Sequence, residues 1–172
     1  MRLIRVLTLS GLGVLAMLAL TTMPLAGEVL PNEILAKVMT VAPPGPVVIK
    51  PYTLVKAGAG WCGPCQNCTK GMNQGAQKLV DACGGVVKIV QLNVDDPAHQ
   101  RALDSFGKIS GVPALIGIGA DGRPLTDANG RPIPPIIGYN AGPKSLDPML
   151  GLIARMRAVA QQGAQALQEQ QR

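Results

Sequence analysis

The sequence predicts an α/β fold, a small mixed β-sheet flanked by helices, on three observations. The run Val86–Val94 is the clearest strand pattern in the chain, rich in β-branched and aliphatic residues. A strand pattern and a helix pattern precede it, so the first half reads as a strand–helix–strand unit, whose crossover is right-handed. Two short apolar runs and a closing amphipathic helix then supply an antiparallel pair and a cover for the sheet.

Taken in order, Glu28–Val41 carries Ile34, Leu35, Val38 and Met39 at helical spacing. Pro43-Pro44-Gly45-Pro46 ends that helix and forms a stiff spacer. Val47–Ala57 reads as extended, interrupted by Pro51. Gln66–Cys83 reads as one helix, weakened by Gly71 and Gly75 at roughly 1 kcal/mol each. Gly84-Gly85 stops it. Asp96-Pro97 has the pattern of an N-cap and a first-turn proline, opening a helix through Phe106. Ala114–Ile118 is the next strand, followed by a turn at Asp121-Gly122. Residues 126–135 read as a loop insertion before Ile136-Ile137-Gly138-Tyr139. The closing helix spans Ser145–Leu167, with Leu146, Met149, Leu150 and Ile153 on one face. The last twelve residues contain six Gln and are expected to fray. The resulting division is 1–26 leader, 27–46 N-terminal helix and Pro-rich spacer, 47–160 folded domain, and 161–172 Gln-rich tail.

Composition narrows the function. A chain of 172 residues with 47% hydrophobic and 15% charged residues buries a core rather than staying disordered. Only Trp61, Phe106, Tyr52 and Tyr139 are aromatic, which argues against base-stacking platforms. With Arg2 and Arg5 set aside, 14 basic and 10 acidic side chains remain, scattered without a basic run. Nucleic-acid binding needs clustered charge and is not expected.

Residues 1–26 read as an export leader. Arg2 and Arg5 form a positive start, Gly11–Leu20 is apolar, and Ala26 is a candidate cleavage point, with Pro24 imperfectly placed before it. Between Arg5 and Glu28 lie 22 uncharged residues, and at about 1.5 Å each they could also span a bilayer as an uncleaved anchor. Both alternatives place the domain outside the cytoplasm, in a periplasm. No cysteine precedes Cys62, which excludes a lipid anchor on an N-terminal cysteine.

The motif that carries chemistry is Trp61-Cys62-Gly63-Pro64-Cys65. If a helix begins there, the two cysteine Cα atoms lie about 5–6 Å apart, within disulfide reach. Cys62 then sits against unpaired backbone N–H groups and the positive end of the helix dipole, which favour a thiolate. Pro64 costs little in a first turn, where its missing N–H has no helical partner. Such a pair passes between dithiol and disulfide without a change of fold.

With these residues in place, the chain resembles the thioredoxin family, specifically its exported members. Trp-Cys-Gly-Pro-Cys is the family's active-site sequence, and Asn93-Val94-Asp95 ends the central strand as the family's does. Gly111-Val112-Pro113 matches the loop whose proline is cis and faces the cysteine pair, and Gly138-Tyr139 precedes the last helix much as a family Gly does. The likeness covers roughly residues 45–157. It implies a thioredoxin-like fold and protein disulfide oxidoreductase activity, with Cys62 as nucleophile and Cys65 as resolving thiol. It also implies substrate cysteine segments pairing at Val112 and Pro113. Pro113 lacks an N–H, so Val112 is free to present its backbone to an extended peptide.

The sequence departs from the family at one telling place. Thioredoxins carry a buried Asp six residues before the first cysteine, where this chain has Lys56, and their lysine partner falls at Gln91. A cation there favours thiolate and stabilises the dithiol, unless Lys56 snorkels to solvent. Cys68 and Cys83 are open to three readings: packed thiols, a bridge to one another, or redox participation. Cys62, Cys65 and Cys68 also spell a Cys-x-x-Cys-x-x-Cys metal pattern. Three thiolates on successive turns converge poorly, however, and His99, the only histidine, reads as a solvent-facing helix residue.

The expectation is an exported thiol–disulfide oxidoreductase acting on cysteine-containing proteins, as reductase or isomerase rather than oxidase. It would need no bound cofactor beyond its own redox-active disulfide, no metal, and a membrane partner to supply or remove electrons. Rival readings are a non-catalytic interaction module of the same fold in an envelope assembly, and a metal-delivery protein.

Overall fold

The computed structural model describes residues 30–127, 129–142 and 144–172. The leader read over residues 1–26 lies outside the described residues. Helix α1 spans Pro31–Ala36, with proline in its first turn, and is followed by strand β1, Met39–Val41. The sequence pattern carries one helix through to Val41, and here the structure corrects it. The Ile89 N–H donates to the Val38 carbonyl at 2.7 Å, and Met39–Val41 pair in parallel with Ile89, Val90 and Gln91. The segment Pro31–Val41 thus packs into the folded body: Leu35 and Val38 are buried in the core, and β1 forms one edge of the sheet.

Strand β2, Thr53–Gly58, is buried along its whole length. The helix expected over Gln66–Cys83 is two helices, α2 (Gly63–Gln74) and α3 (Ala76–Cys83), parted at Gly75. Leu146 fills the space that a side chain at Gly75 would need. Gly84 closes α3 in the left-handed region, φ +56°, which an L side chain resists. The Arg157 guanidinium packs against Gly84 and donates to the Ala82 carbonyl at 3.0 Å, satisfying an end-of-helix acceptor. Strand β3 spans Lys88–Asn93, and helix α4, Pro97–Asp104, begins at Asp96, whose carboxylate accepts from the Ala98 and His99 N–H groups. Strands β4 (Ala114–Gly117) and β5 (Ile136–Ile137) flank the inserted loop. Helix α5 spans Asp147–Gln170. The Gln-rich tail is thus helical nearly to its end, because Ala, Gln and Leu are good helix formers and no proline interrupts them. Among the described residues, no helix is long and apolar enough to cross a membrane.

The five strands run in the order β1-β3-β2-β4-β5; β1, β3 and β2 are parallel, whereas β4 and β5 are antiparallel to their neighbours. The central strand of the five is β2, with β3 beside it, whereas the resemblance puts the strand ending at Asn93-Val94-Asp95 in that place. Side chains alternate across it. Leu54 joins Ile89 and Leu115 in a core covered by α1, α2, α3 and α5, while Val55 and Ala57 join Leu92, Ala114 and Ile116 beneath α4. This alternation puts Lys56, Gln91 and Leu115 in adjacent register on the α2 side of the sheet.

Candidate active site

The site is built where β2 ends and α2 begins. After Gly58 the chain turns through Ala59-Gly60-Trp61, with the Cys62 N–H donating to the Ala59 carbonyl at 3.3 Å. The Gln66 side chain donates to the Gly60 carbonyl at 2.7 Å and fastens the turn to the helix. Cys62 is the N-cap of α2, Gly63 its first residue and Pro64 its second, so the proline occupies the turn that has no use for its N–H. Cys62 and Cys65 form a disulfide with Cα atoms 5.2 Å apart. The Cys65 N–H also donates to Cys62 Sγ at 3.1 Å, so the first sulfur lies within the unpaired amides of the helix start. Both cysteines are only 4% exposed.

The Val112–Pro113 peptide bond is cis, and Cys62 Sγ lies 3.7 Å from the Val112 carbonyl oxygen. Val112 and Val94 pack against the small cluster of Ala59, Cys62 and Cys65. Trp61 is 71% exposed, and its indole N–H is shared between the two Asp95 carboxylate oxygens at 3.0 and 3.1 Å. Beyond Pro113 a cleft of about 560 Å³ opens between β4, β5 and α5, lined by Ile136, Tyr139 and Met149, with Cys68 at its wall.

Lys56 does not snorkel to solvent: its side chain is 1% exposed. Its Nζ donates to Thr69 Oγ1 at 3.1 Å and to Gln91 Oε1 at 2.9 Å. Thr69 in turn donates to the Cys65 carbonyl at 3.1 Å, which ties the amine to the helix turn bearing the second cysteine. Burial holds the Lys56 amine below the ordinary lysine value, opposed by the Cys68 thiol beside it. Burial pushes the Cys68 thiol up, opposed by Lys56. Cys68 and Cys83 are both buried free thiols, so of the three readings the structure places them as packed thiols. In Cys83, burial pushes the thiol up to about 11, opposed by Lys88 and Arg157.

All eight residues singled out from the sequence, Lys56, Trp61, Cys62, Gly63, Pro64, Cys65, Val112 and Pro113, fall around this disulfide, Lys56 on its inner side. His99 is a correction. It is 1% exposed rather than solvent-facing, accepting from the Asn93 N–H at Nδ1 (3.1 Å) and donating from Nε2 to the Pro43 carbonyl (2.9 Å). Its partner lies 56 positions away, so no local pattern shows it. Three residues near the site were missed: Thr69, Asp95 and Tyr139. Only Thr69 had a signal, lying four positions, one helical turn, after Cys65.

The family model for thioredoxin matches residues 47–132. No curated protein matches the sequence. Among solved structures, a thioredoxin variant from Halobacterium salinarum aligns at 21% identity over 60% of this chain and 73% of its own, with a TM-score of 0.42. Oxidised thioredoxin from Plasmodium falciparum aligns at 16% identity over 59% and 80%, with a TM-score of 0.40. Fasciola hepatica thioredoxin aligns at 20% identity over 58% and 77%, with a TM-score of 0.39. The family match spans β2, the cysteine motif, β3, α4 and β4, and on it the chain belongs to the thioredoxin family.

Proposed function

We propose that this chain is a thiol–disulfide oxidoreductase that exchanges disulfides with exported protein substrates through Cys62 and Cys65. The observation that carries the reading is the disulfide at the start of α2, with Cys62 Sγ held between the Cys65 N–H and the Val112 carbonyl. In the reducing direction the Cys62 thiolate attacks one sulfur of a substrate disulfide. A Cys62–substrate bond forms, the substrate S–S bond breaks, and the other substrate sulfur leaves as thiolate. The Cys65 thiolate then attacks Cys62 Sγ, releasing the second substrate thiolate and closing the Cys62–Cys65 disulfide. Two electrons pass to the substrate, both from the pair, with no other cofactor. The substrate chain would lie extended along Val112 and Pro113, with Trp61 presenting an apolar face beside the disulfide.

Residues 1–26 support an extracytoplasmic, periplasmic location, by cleaved signal or retained anchor. A thiol pair working there needs a membrane partner to restore its electrons. The Gly-Pro between the cysteines favours work as reductase or isomerase. Insulin-disulfide reduction tests the activity, with Cys62→Ser as control; wild-type turnover at background level would refute it. Thiol alkylation in cells tests the direction. A mostly reduced pair supports reductase or isomerase, and a mostly oxidised pair reverses that assignment.

A further inference from the structure

Behind the disulfide lies a cavity of about 130 Å³, lined by Lys56, Gly58, Ala59, Gly60, Cys65 and Gln91, among others. Two groups meet across it. A methyl group placed on Gly58 would sit 3.4 Å from Cys65 Sγ and 3.9 Å from Lys56 Nζ. The sulfur and the amine therefore lie within reach of one point, and only the absence of a side chain at Gly58 keeps that point open. An ammonium has three protons to donate. Among the described residues, Thr69 and Gln91 take two of them, which leaves the third for the cavity. The volume suffices for bridging water, and the site is polar enough to hold it.

We propose that Lys56 is a positioning residue whose ammonium group stabilises the Cys65 thiolate across this cavity, making the pair a stronger oxidant than it would be without that cation. The inference rests on the thiol-exchange reading and deepens it. When the Cys62–Cys65 disulfide is reduced, both sulfurs gain an electron. The charge on Cys65 develops in a buried place where a fixed cation counts for more than in water. When Cys65 resolves a mixed disulfide, its thiol proton leaves to solvent by way of cavity water, and the Lys56 ammonium favours the thiolate that remains. The thiolate then attacks Cys62 Sγ, and the departing substrate thiolate takes its proton from solvent. Thr69 and Gln91 hold Nζ in place for both events. The titratable groups facing Lys56 are Cys65 and Cys68, both on α2. Strand β3 offers only the neutral Gln91 in register with it, and β4 offers Leu115. The net field at Cys65 from this cluster is therefore positive.

The test compares the full chain with Lys56→Met and Gln91→Glu at equilibrium with glutathione. The pH dependence of Cys65 alkylation is followed separately, with Cys62→Ser in every protein. Lys56→Met is close in shape and removes a buried charge, so it folds. It should move the equilibrium roughly tenfold towards disulfide, about 30 mV more negative for a two-electron couple, and raise the pH at which Cys65 reacts. Gln91→Glu keeps the lysine but pairs it with a carboxylate, and should shift both readouts the same way. Unchanged readouts in Lys56→Met, or a shift of opposite sense in Gln91→Glu, would overturn the proposal. Neither readout needs a protein substrate, so a failed insulin assay would sink the functional reading without touching this one.

Discussion

The backbone N–H of Cys65 and the sulfur of Cys62 are 3.1 Å apart, in the first turn of α2. In the reduced protein this amide and the helix dipole both favour Cys62 as thiolate. Cys62 should therefore react half-maximally with iodoacetamide below the free-thiol value of about 8.5. Cys62→Ser should abolish exchange, whereas Cys65→Ser should stall at mixed disulfides visible on non-reducing gels. Turnover by Cys62→Ser at the wild-type rate would reassign the nucleophile.

The Asp96 carboxylate ties the Pro-rich segment to α4, accepting from the Gly45 N–H at 3.0 Å and from the Ala98 and His99 N–H groups at 2.7 and 3.2 Å. The Gly45 hydrogen bond, then those from Ala98 and His99, hold its carboxyl below the usual aspartate value. A carboxyl depressed on folding contributes stability that is full above its unfolded value and is lost as pH falls through the folded one. Asp96→Ala should thus melt at lower temperature than wild type at pH 7, with the gap closing as the medium is acidified below the ordinary aspartate value of 3.8. A gap that persists unchanged in acid would show that the carboxylate charge is not what matters.

This cap was legible because its signal is local: Asp96-Pro97 needs only its neighbours to be read as a helix start. The cysteine motif and Pro113 were legible for the same reason. What the sequence hid depends on distant partners. Strand β1 is three residues long with two of them exposed, so it offers no alternation, and only its pairing with β3 makes it a strand. His99 is buried by Pro43, and Lys56 by Gln91 and Thr69, contacts that no helical or strand period encodes. A strand buried at every position, as β2 is, carries one clue: any polar residue within it must find a partner inside the fold.

Burying Lys56 should cost stability as well as tune chemistry. A base whose value is depressed on folding contributes stability that is full above its unfolded value, 10.5, and is lost as pH falls through the folded one. At neutral pH, Lys56→Met in the oxidised protein should therefore be more stable than wild type by about 1 kcal/mol or more. Urea unfolding should show that advantage shrinking as pH rises towards 10. An advantage that grows with pH would mean that the buried amine is stabilised as a cation.

Cys83 behaves in the opposite sense. Burial pushes its thiol up to about 11. An acid raised on folding contributes stability that is present below its unfolded value, about 9, and is lost as pH rises through the folded one. Native protein at pH 8 should leave Cys83 unlabelled by iodoacetamide while urea-unfolded protein labels fully. Cys83→Ala should remove part of the alkaline loss of stability between about pH 9 and 11. Rapid labelling of Cys83 in the folded state would contradict its burial.

Gly71 reads from sequence as a defect in α2, but its neighbour explains it. A side chain there would overlap the Tyr139 hydroxyl and come within 3.0 Å of the ring carbon that bears it. Two effects of Gly71→Ala oppose one another: about 1 kcal/mol of helix propensity gained, against about 1–3 kcal/mol of overpacking. With Tyr139 present the clash wins, and the substitution should destabilise. In a Tyr139→Ala background the clash is gone, and the same substitution should stabilise by about 1 kcal/mol. Urea unfolding of the four proteins reads the coupling directly, and a change of the same sign in both backgrounds would refute it. The contact also reaches the site, because Tyr139 lines the cleft beyond Pro113. Gly71→Ala should push the ring into that cleft and slow exchange with protein substrates, while Cys62, on the far side of Pro113, reacts with iodoacetamide at its usual rate.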